Sequence, residues 1–286
     1  MTAVSEPPSI PGFRPDVRDP GWDVGDGGWD THAHVFGPAA DFPYAAGRTY
    51  TPPDSTPADY LRTLDALGLS HGVLVQPSCY GTDNSRLLAA LAAHPARFRG
   101  VVDLDLLATA EEDLRGLAGV CGLRLRWPQT ADRIGEILPR LRTLGWHADV
   151  LLDHSDSAPA LIDAVAGSGV RVVVEAMGSP RAGDTVSGRG FSALREWLSA
   201  GEGWVKLSHP YAIDGLGPGP YPHAGRFAGA LVETAPDRCV WGSDWPHPMK
   251  EGPVPEDGGL LGLLVQWAGG AAAARSILTT NPLSLY

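Results

Sequence analysis

One pattern constrains this chain more than any other: short apolar runs alternate with helix-like stretches, and the unit recurs eight times. Strand-like runs fall at residues 29–34, 72–76, 100–105, 122–126, 149–153, 170–175, 204–207 and 239–242. Helical spacing follows each of them. Thr56 caps the first helix, Pro57 opens it, Leu61, Leu64 and Leu67 share its face, and Gly68 stops it. Further helices are expected over residues 83–94, 110–118, 134–144, 158–166, 191–200 and 224–234, with closing ones at 259–267 and 271–278. A strand followed by a helix returns parallel to its predecessor, because only a crossover brings the chain back in the same direction. Eight such units suit a single-domain α/β (β/α)8 TIM barrel, whose usual size is roughly 250 residues. A doubly wound open sheet is the alternative, but it would show a Gly-rich phosphate turn after an early strand, where this chain has His32-Ala33-His34.

At 286 residues and 43% hydrophobic, the chain can bury a large core. The barrel is expected over residues 28–286, after a polar, Pro-rich N-terminal tail of residues 1–27 that lacks the apolar core of a signal peptide. A formal charge of -11 opposes nucleic acid and anionic membranes as partners. No apolar run reaches spanning length. Cys79, Cys121 and Cys239 are scattered and odd in number, which fits a reducing, cytoplasmic setting rather than a disulfide framework. A small-molecule substrate is the expected partner, with a homo-oligomer open.

Chemistry concentrates at the two ends of the alternation. In Asp30-Thr31-His32-Ala33-His34 the two histidines lie on the same face of a strand. Two imidazoles a few ångströms apart can share a metal ion or hydrogen-bond one substrate oxygen. In Cys239-Val240-Trp241-Gly242-Ser243-Asp244-Trp245-Pro246-His247-Pro248 an apolar strand ends in a carboxylate within an aromatic, Pro-stiffened turn. In a closed barrel, strand eight neighbours strand one, so Asp244 would meet His32 and His34 at the mouth where barrel chemistry sits. A carboxylate there can take a proton from water or substrate. Residues 36–54 form a long loop with Phe42, Tyr44 and Tyr50, and a loop so long and aromatic is expected to be functional rather than disordered.

These two stretches, with Val75-Gln76-Pro77-Ser78-Cys79-Tyr80-Gly81-Thr82-Asp83-Asn84, Gly122-Leu123-Arg124 and Trp204-Val205-Lys206-Leu207-Ser208, carry a resemblance. The chain is similar to the amidohydrolase superfamily (amidohydrolase-related family 2), in the branch that includes 2-pyrone-4,6-dicarboxylate lactonase. The resemblance implies that Asp244 is the general base activating water, and that His32 and His34 polarise the carbonyl under attack. Some relatives place zinc between such histidines and the aspartate, whereas the lactonase branch works without metal. No cofactor is therefore expected to be required, with zinc or another divalent ion open as an option on His32, His34, Asp244 and His154. The resemblance also implies substrate contacts from Arg124, Tyr50, Ser78, Tyr80 and Thr82, joined by Ser208 and His247.

Departures from the family pattern sharpen the expectation. Similar sequences read Asp-His-Met-Gly at the end of strand six, and here the chain reads Glu175-Ala176-Met177-Gly178, so Ala176 supplies no imidazole. His154 at the end of strand five is a candidate substitute, or simply a capping histidine before Ser155 and Asp156. Glu175 is either a third carboxylate in the site or a residue facing the helices. Arg124 matches the arginine with which relatives grip a carboxylate through a bidentate pair, unless a barrel carboxylate such as Asp103 or Asp105 satisfies it. The other arginines of the dicarboxylate site are missing, with Trp127-Pro128-Gln129-Thr130 and Ser208-His209-Pro210-Tyr211-Ala212 in their places. Lys206 should lie inside the barrel, pairing a carboxylate.

The expected activity is hydrolysis of a lactone or related cyclic ester on a small, ring-containing, neutral or monoanionic substrate. A lyase, decarboxylase or cyclase using the same pocket is the alternative that the missing imidazole favours.

Overall fold

Helix α1 (Pro57–Leu67) shows how local chemistry sets the element boundaries. The Thr56 backbone N–H donates to Asp59 Oδ2 at 2.8 Å while Asp59 N–H donates back to Thr56 Oγ1 at 3.3 Å, a reciprocal cap on groups the helix cannot satisfy itself. Gly68 ends the helix at φ 73°, a left-handed conformation that costs a residue with a Cβ about 1 kcal/mol or more.

The structure, a computed structural model, describes residues 6–215, 219–248 and 252–286. Its strands are β1 (Trp29–Ala33), β2 (His71–Val75), β3 (Phe98–Val102), β4 (Val120–Trp127), β5 (His147–Leu152), β6 (Val172–Val174), β7 (Trp204–Leu207) and β8 (Cys239–Trp241). They form one parallel sheet in sequence order. After α1 come α2 (Ser85–Ala93), α3 (Glu111–Arg115), α4 (Ile134–Leu144), α5 (Ala158–Val165) and α6 (Arg189–Ser199). The chain ends with α7 (Tyr211–Asp214), α8 (Pro222–Thr234), α9 (Asp257–Trp267) and α10 (Ala271–Thr279). This is the (β/α)8 barrel expected from the alternation. The longer helices bury apolar stripes in the core; Phe227, Leu231 and Val232 do so for α8, each contributing about 1.5–3 kcal/mol.

Differences from expectation lie at element ends. The third strand stops at Val102, because Asp103 turns away to bond Arg126 and Asp105 binds the amides of Leu107 and Ala108. The third helix is five residues, closing at Gly116 with Leu114 as its one buried side chain. Helix α7, four residues after β7, was not expected at all.

The closure of the ring is local rather than ladder-like. Asp244 N–H donates to His32 O at 2.8 Å and His34 N–H to Trp245 O at 2.7 Å. Thr31 Oγ1 donates to Trp241 O at 2.8 Å, and the buried Asp30 carboxylate accepts from Ser243 N at 2.9 Å and Oγ at 2.5 Å. At Gly242 a Cβ would lie 2.5 Å from His32 Cβ, so only glycine lets β1 come this close.

Residues 6–27, the described part of the stretch 1–27 read as a polar tail, pack back onto the barrel. Phe13 packs 5.0 Å from Trp245, Arg18 N–H donates to Glu256 Oε1 at 2.7 Å, and Ile10 N–H donates to Thr51 O at 3.1 Å. The long loop after β1 is built around Phe36, Tyr50, Cys79 and Tyr80, with Phe42 and Tyr44 packed on them. Among the described residues, no single helix is long and apolar enough to cross a membrane.

Candidate active site

At the C-terminal mouth of the barrel, β1 and the turn after β8 bring three side chains together. His34 Nε2 lies 3.3 Å and His32 Nε2 3.6 Å from Asp244 Oδ1, and the two rings stand at 88° with centroids 5.0 Å apart. All three residues are at most 5% exposed. Asp244 reaches them from a left-handed backbone, φ 64°, and its carbonyl accepts from His247 N–H at 2.7 Å. Ala176 and His209, after β6 and β7, are left-handed as well, at φ 49° and 57°. Such strain is retained where the surrounding structure over-determines it, as functional sites often do. Here it turns the chain ends back over the mouth.

The two imidazoles differ in their second nitrogen. His34 Nδ1 donates to the Val75 carbonyl at 2.7 Å, which fixes a proton on Nδ1 and leaves Nε2 to accept or share one. His32 Nδ1 lies 3.4 Å from Lys206 Nζ, an ammonium that only donates, so the proton of a neutral His32 sits on Nε2 and points into the site. Burial, then the Lys206 charge, pushes the His32 pKa well below its ordinary 6.5, and the ring is neutral at pH 7. Lys206 in turn binds Asp149; both are fully buried inside the barrel, the pairing expected of Lys206.

Asp244 is held as a carboxylate. Burial opposes its charge, but His209 at 4.0 Å and the contacts with His34 and His32 outweigh burial and hold its pKa far below the usual range. The Tyr211 hydroxyl donates to Asp244 Oδ2 and lies 3.2 Å from His247 Nδ1, while His247 Nε2 lies 3.0 Å from Asp257 Oδ1.

A cavity of about 180 Å³ opens in front of this group. Pockets for drug-sized ligands run to ~300–1,000 Å³, so this one suits a small molecule. Tyr50, Ser78, Arg124, Ser208, His32, His34 and Asp244, all singled out from the sequence, line it, and Glu175, Ala176 and His209 line it too. A barrel carboxylate does satisfy Arg124, as one sequence-based option had it, but it is Glu175 rather than Asp103 or Asp105. Arg124 Nε and Nη2 bind Glu175 at 2.9 and 2.7 Å, and its Nη1 donates to Gln76 O at 3.0 Å. Asp103 is taken by Arg126 at 2.7 Å.

Four expected site residues lie elsewhere. His247 is fully buried between Tyr211 and Asp257, behind Asp244 rather than in the cavity. The turn at φ 62° rotates it away from the face that strand alternation would give it. The Tyr80 hydroxyl accepts from Gly37 N–H at 2.8 Å within the aromatic loop cluster. Thr82 is exposed to solvent outside the cavity. His154 does not take the place of the missing imidazole: its Nε2 lies 2.8 Å from Asp184 Oδ2 and its Nδ1 accepts from Asp156 N–H at 3.3 Å, as a cap on the following turn. His209 and Tyr211 were not foreseen as site residues, although Ser208-His209-Pro210-Tyr211 follows β7 as Ser243-Asp244-Trp245-Pro246 follows β8.

His32, His34 and Asp244 offer atoms within 4.8 Å of one another, close enough for a cation. The hydrogen-bond pattern fits one poorly. A ligand nitrogen must present a lone pair, and the Lys206 contact places the His32 proton on Nε2.

The amidohydrolase family profile matches residues 29–286. The chain is 37% identical over 271 residues to a 4-sulfomuconolactone hydrolase of Rhizobium radiobacter, covering 91% of this chain and 90% of the relative. It is 33% identical over 276 residues to a 2-pyrone-4,6-dicarboxylate hydrolase of Comamonas testosteroni, with 91% and 90% covered. A crystal structure from Pseudomonas putida superposes with a TM-score of 0.78 at 33% identity, over 91% of this chain and 97% of that one. The chain belongs to the amidohydrolase family and is a hydrolase of its lactonase-like kind.

Proposed function

We propose that this protein opens the ring of a small neutral or monoanionic lactone by direct attack of water, without a resident metal ion. The observation that carries the reading is the inequivalence of the two histidines around Asp244. Water resting against Asp244 Oδ1 loses its proton to the Asp244–His34 couple, whose Nε2 is the open position of a ring anchored at Nδ1. The hydroxyl adds to the lactone carbonyl carbon, and His32 Nε2–H donates to the oxyanion that forms. One such donor is worth about 10²–10³ in turnover. Collapse of the tetrahedral intermediate breaks the ring C–O bond, and the leaving alkoxide regains the proton from the couple. Tyr211, seated on Asp244 Oδ2, keeps the carboxylate turned toward the histidines. Ser78, Ser208 and Tyr50 face the ring.

Two relatives are named for a sulfonated and a dicarboxylated lactone, and lactone opening is the chemistry carried over from them. Zinc chemistry would ask His32 Nε2 for a lone pair, and Lys206 opposes this. Cys79, Cys121 and Cys239 form no disulfide, which suits a cytoplasmic setting.

The test is acid release from a panel of five- and six-membered lactones, run before and after exhaustive dialysis against a chelator. Turnover that survives dialysis supports the reading. Stoichiometric zinc whose removal abolishes turnover overturns the metal-free mechanism. Conversion of the substrate with no acid released favours a lyase or cyclase in its place.

A further inference from the structure

Arg124 is the one guanidinium or ammonium group among the described residues that line the cavity, and Glu175 stands in its fork. The pair is closed on both sides. Glu175 is 2% exposed, and the Arg124 side chain 10%. Burial opposes the charge on each partner, but their mutual attraction outweighs it, lowering the pKa of Glu175 and raising that of Arg124. The two partners come from different strands, Arg124 within β4 and Glu175 at the end of β6, so the pair is part of the barrel wall and not a mobile surface contact.

A substrate carboxylate seeking Arg124 has two routes, and both are unfavourable. It can displace Glu175, leaving a buried carboxylate unpaired, a loss far larger than that of a surface ion pair. Alternatively it can join Glu175 on one guanidinium, bringing a second anion beside the first, with Asp244 a third across the cavity. One cation against two carboxylates already leaves the charged lining negative.

We propose that Glu175 is the specificity-determining residue of this site: by occupying the Arg124 fork it restricts the enzyme to lactones that carry no carboxylate on the side facing β4. This narrows the substrate class within the lactonase reading and rests on it. Similar sequences carry aspartate at this position, one methylene shorter; here it is the longer Glu175 side chain whose two oxygens meet Arg124 Nε and Nη2 at 2.9 and 2.7 Å.

The experiment compares 5-oxotetrahydrofuran-2-carboxylate with its N-methylamide, two lactones that differ by one charge, in the wild type and Glu175→Gln. The wild type should favour the amide in kcat/KM by about tenfold or more, and Glu175→Gln should move the ratio toward the acid by about 10²-fold, the scale of a relieved like-charge contact. A folded Glu175→Gln whose ratio stays at the wild-type value overturns the proposal. If the wild type hydrolyses neither lactone, nor any of the wider panel of five- and six-membered rings, the hydrolase reading falls by itself. Binding of the unreactive pair cyclopentanecarboxylate and cyclopentanecarboxamide then decides the charge question, since only Glu175→Gln should gain affinity for the acid. Should Glu175→Gln fail to fold, the double variant Arg124→Met/Glu175→Met removes both charges together. A closed pair implies a ratio within about threefold of wild type there, and a tenfold move toward the amide would show that Arg124 had been attracting the acid all along.

Discussion

Replacing Asp244 by asparagine isolates the proton-transfer step from the architecture around it. The position is left-handed at φ 64°, and asparagine is one of the few residues that adopts this conformation as readily as aspartate. Alanine would add about 1–2 kcal/mol of backbone strain and confuse the result. In the Asn variant the amide oxygen can still accept from Tyr211, and the backbone bond from Asp244 N–H to His32 O is untouched. What disappears is the charge that His34 Nε2 meets at 3.3 Å, and with it the proposed acceptor for the water proton. Loss of a general base costs about 10²–10⁴ in rate. We expect kcat for lactone opening to fall by at least ~10², with KM little changed and the unfolding midpoint within a few degrees of wild type. A pH-stat assay gives the rate, and circular dichroism on the same samples shows whether the fold is intact. A folded Asp244→Asn protein within tenfold of wild-type turnover would refute the assignment of the base.

Three further outcomes are expected. Because His32 is held neutral and Asp244 ionised well below their ordinary pKa values, kcat/KM should stay flat from pH 6 to pH 8, and an inflection near 6.5 would show His32 titrating normally. The same carboxylate has a folded pKa below its unfolded 3.8, so its contribution to stability is complete above that value and is lost as pH falls toward the folded one; acid titration of the unfolding midpoint reads this. Lys206→Met leaves the fully buried Asp149 without its partner in the barrel and should cost about 3–5 kcal/mol, most of it recovered in Lys206→Met/Asp149→Leu. Equal midpoints for the single and double variants would mean that the pair contributes through packing alone.

The fold was readable because its signal is a repeat: eight alternations survive errors of two or three residues at any one boundary. The contact between strand one and strand eight follows from closure alone, which is why Asp244, His32 and His34 could be joined across more than two hundred residues of chain. Strand parity carried the reading no further than the strands themselves. Glu175 stands one residue beyond β6, where alternation no longer says which way a side chain faces. At His209 and His247 a positive φ rotates the chain, so one entered the cavity unannounced and the other left it for Asp257. His154 shows the opposite failure: its capping role was as visible in the sequence as its chemistry, and the structure realises the cap.

The seam between β8 and β1 has a consequence for how the enzyme fails. Elsewhere the sheet is continuous, but here two backbone hydrogen bonds, a threonine hydroxyl and the Asp30–Ser243 contacts hold the ring shut. Asp244 and His32, the proposed base and oxyanion donor, sit on opposite banks of this join. A small opening of the ring, too slight to disturb any helix, separates them and stops turnover. Under rising denaturant, catalysis should therefore fade at a lower concentration than far-ultraviolet ellipticity, making the enzyme's own activity the most sensitive gauge of whether its barrel is closed.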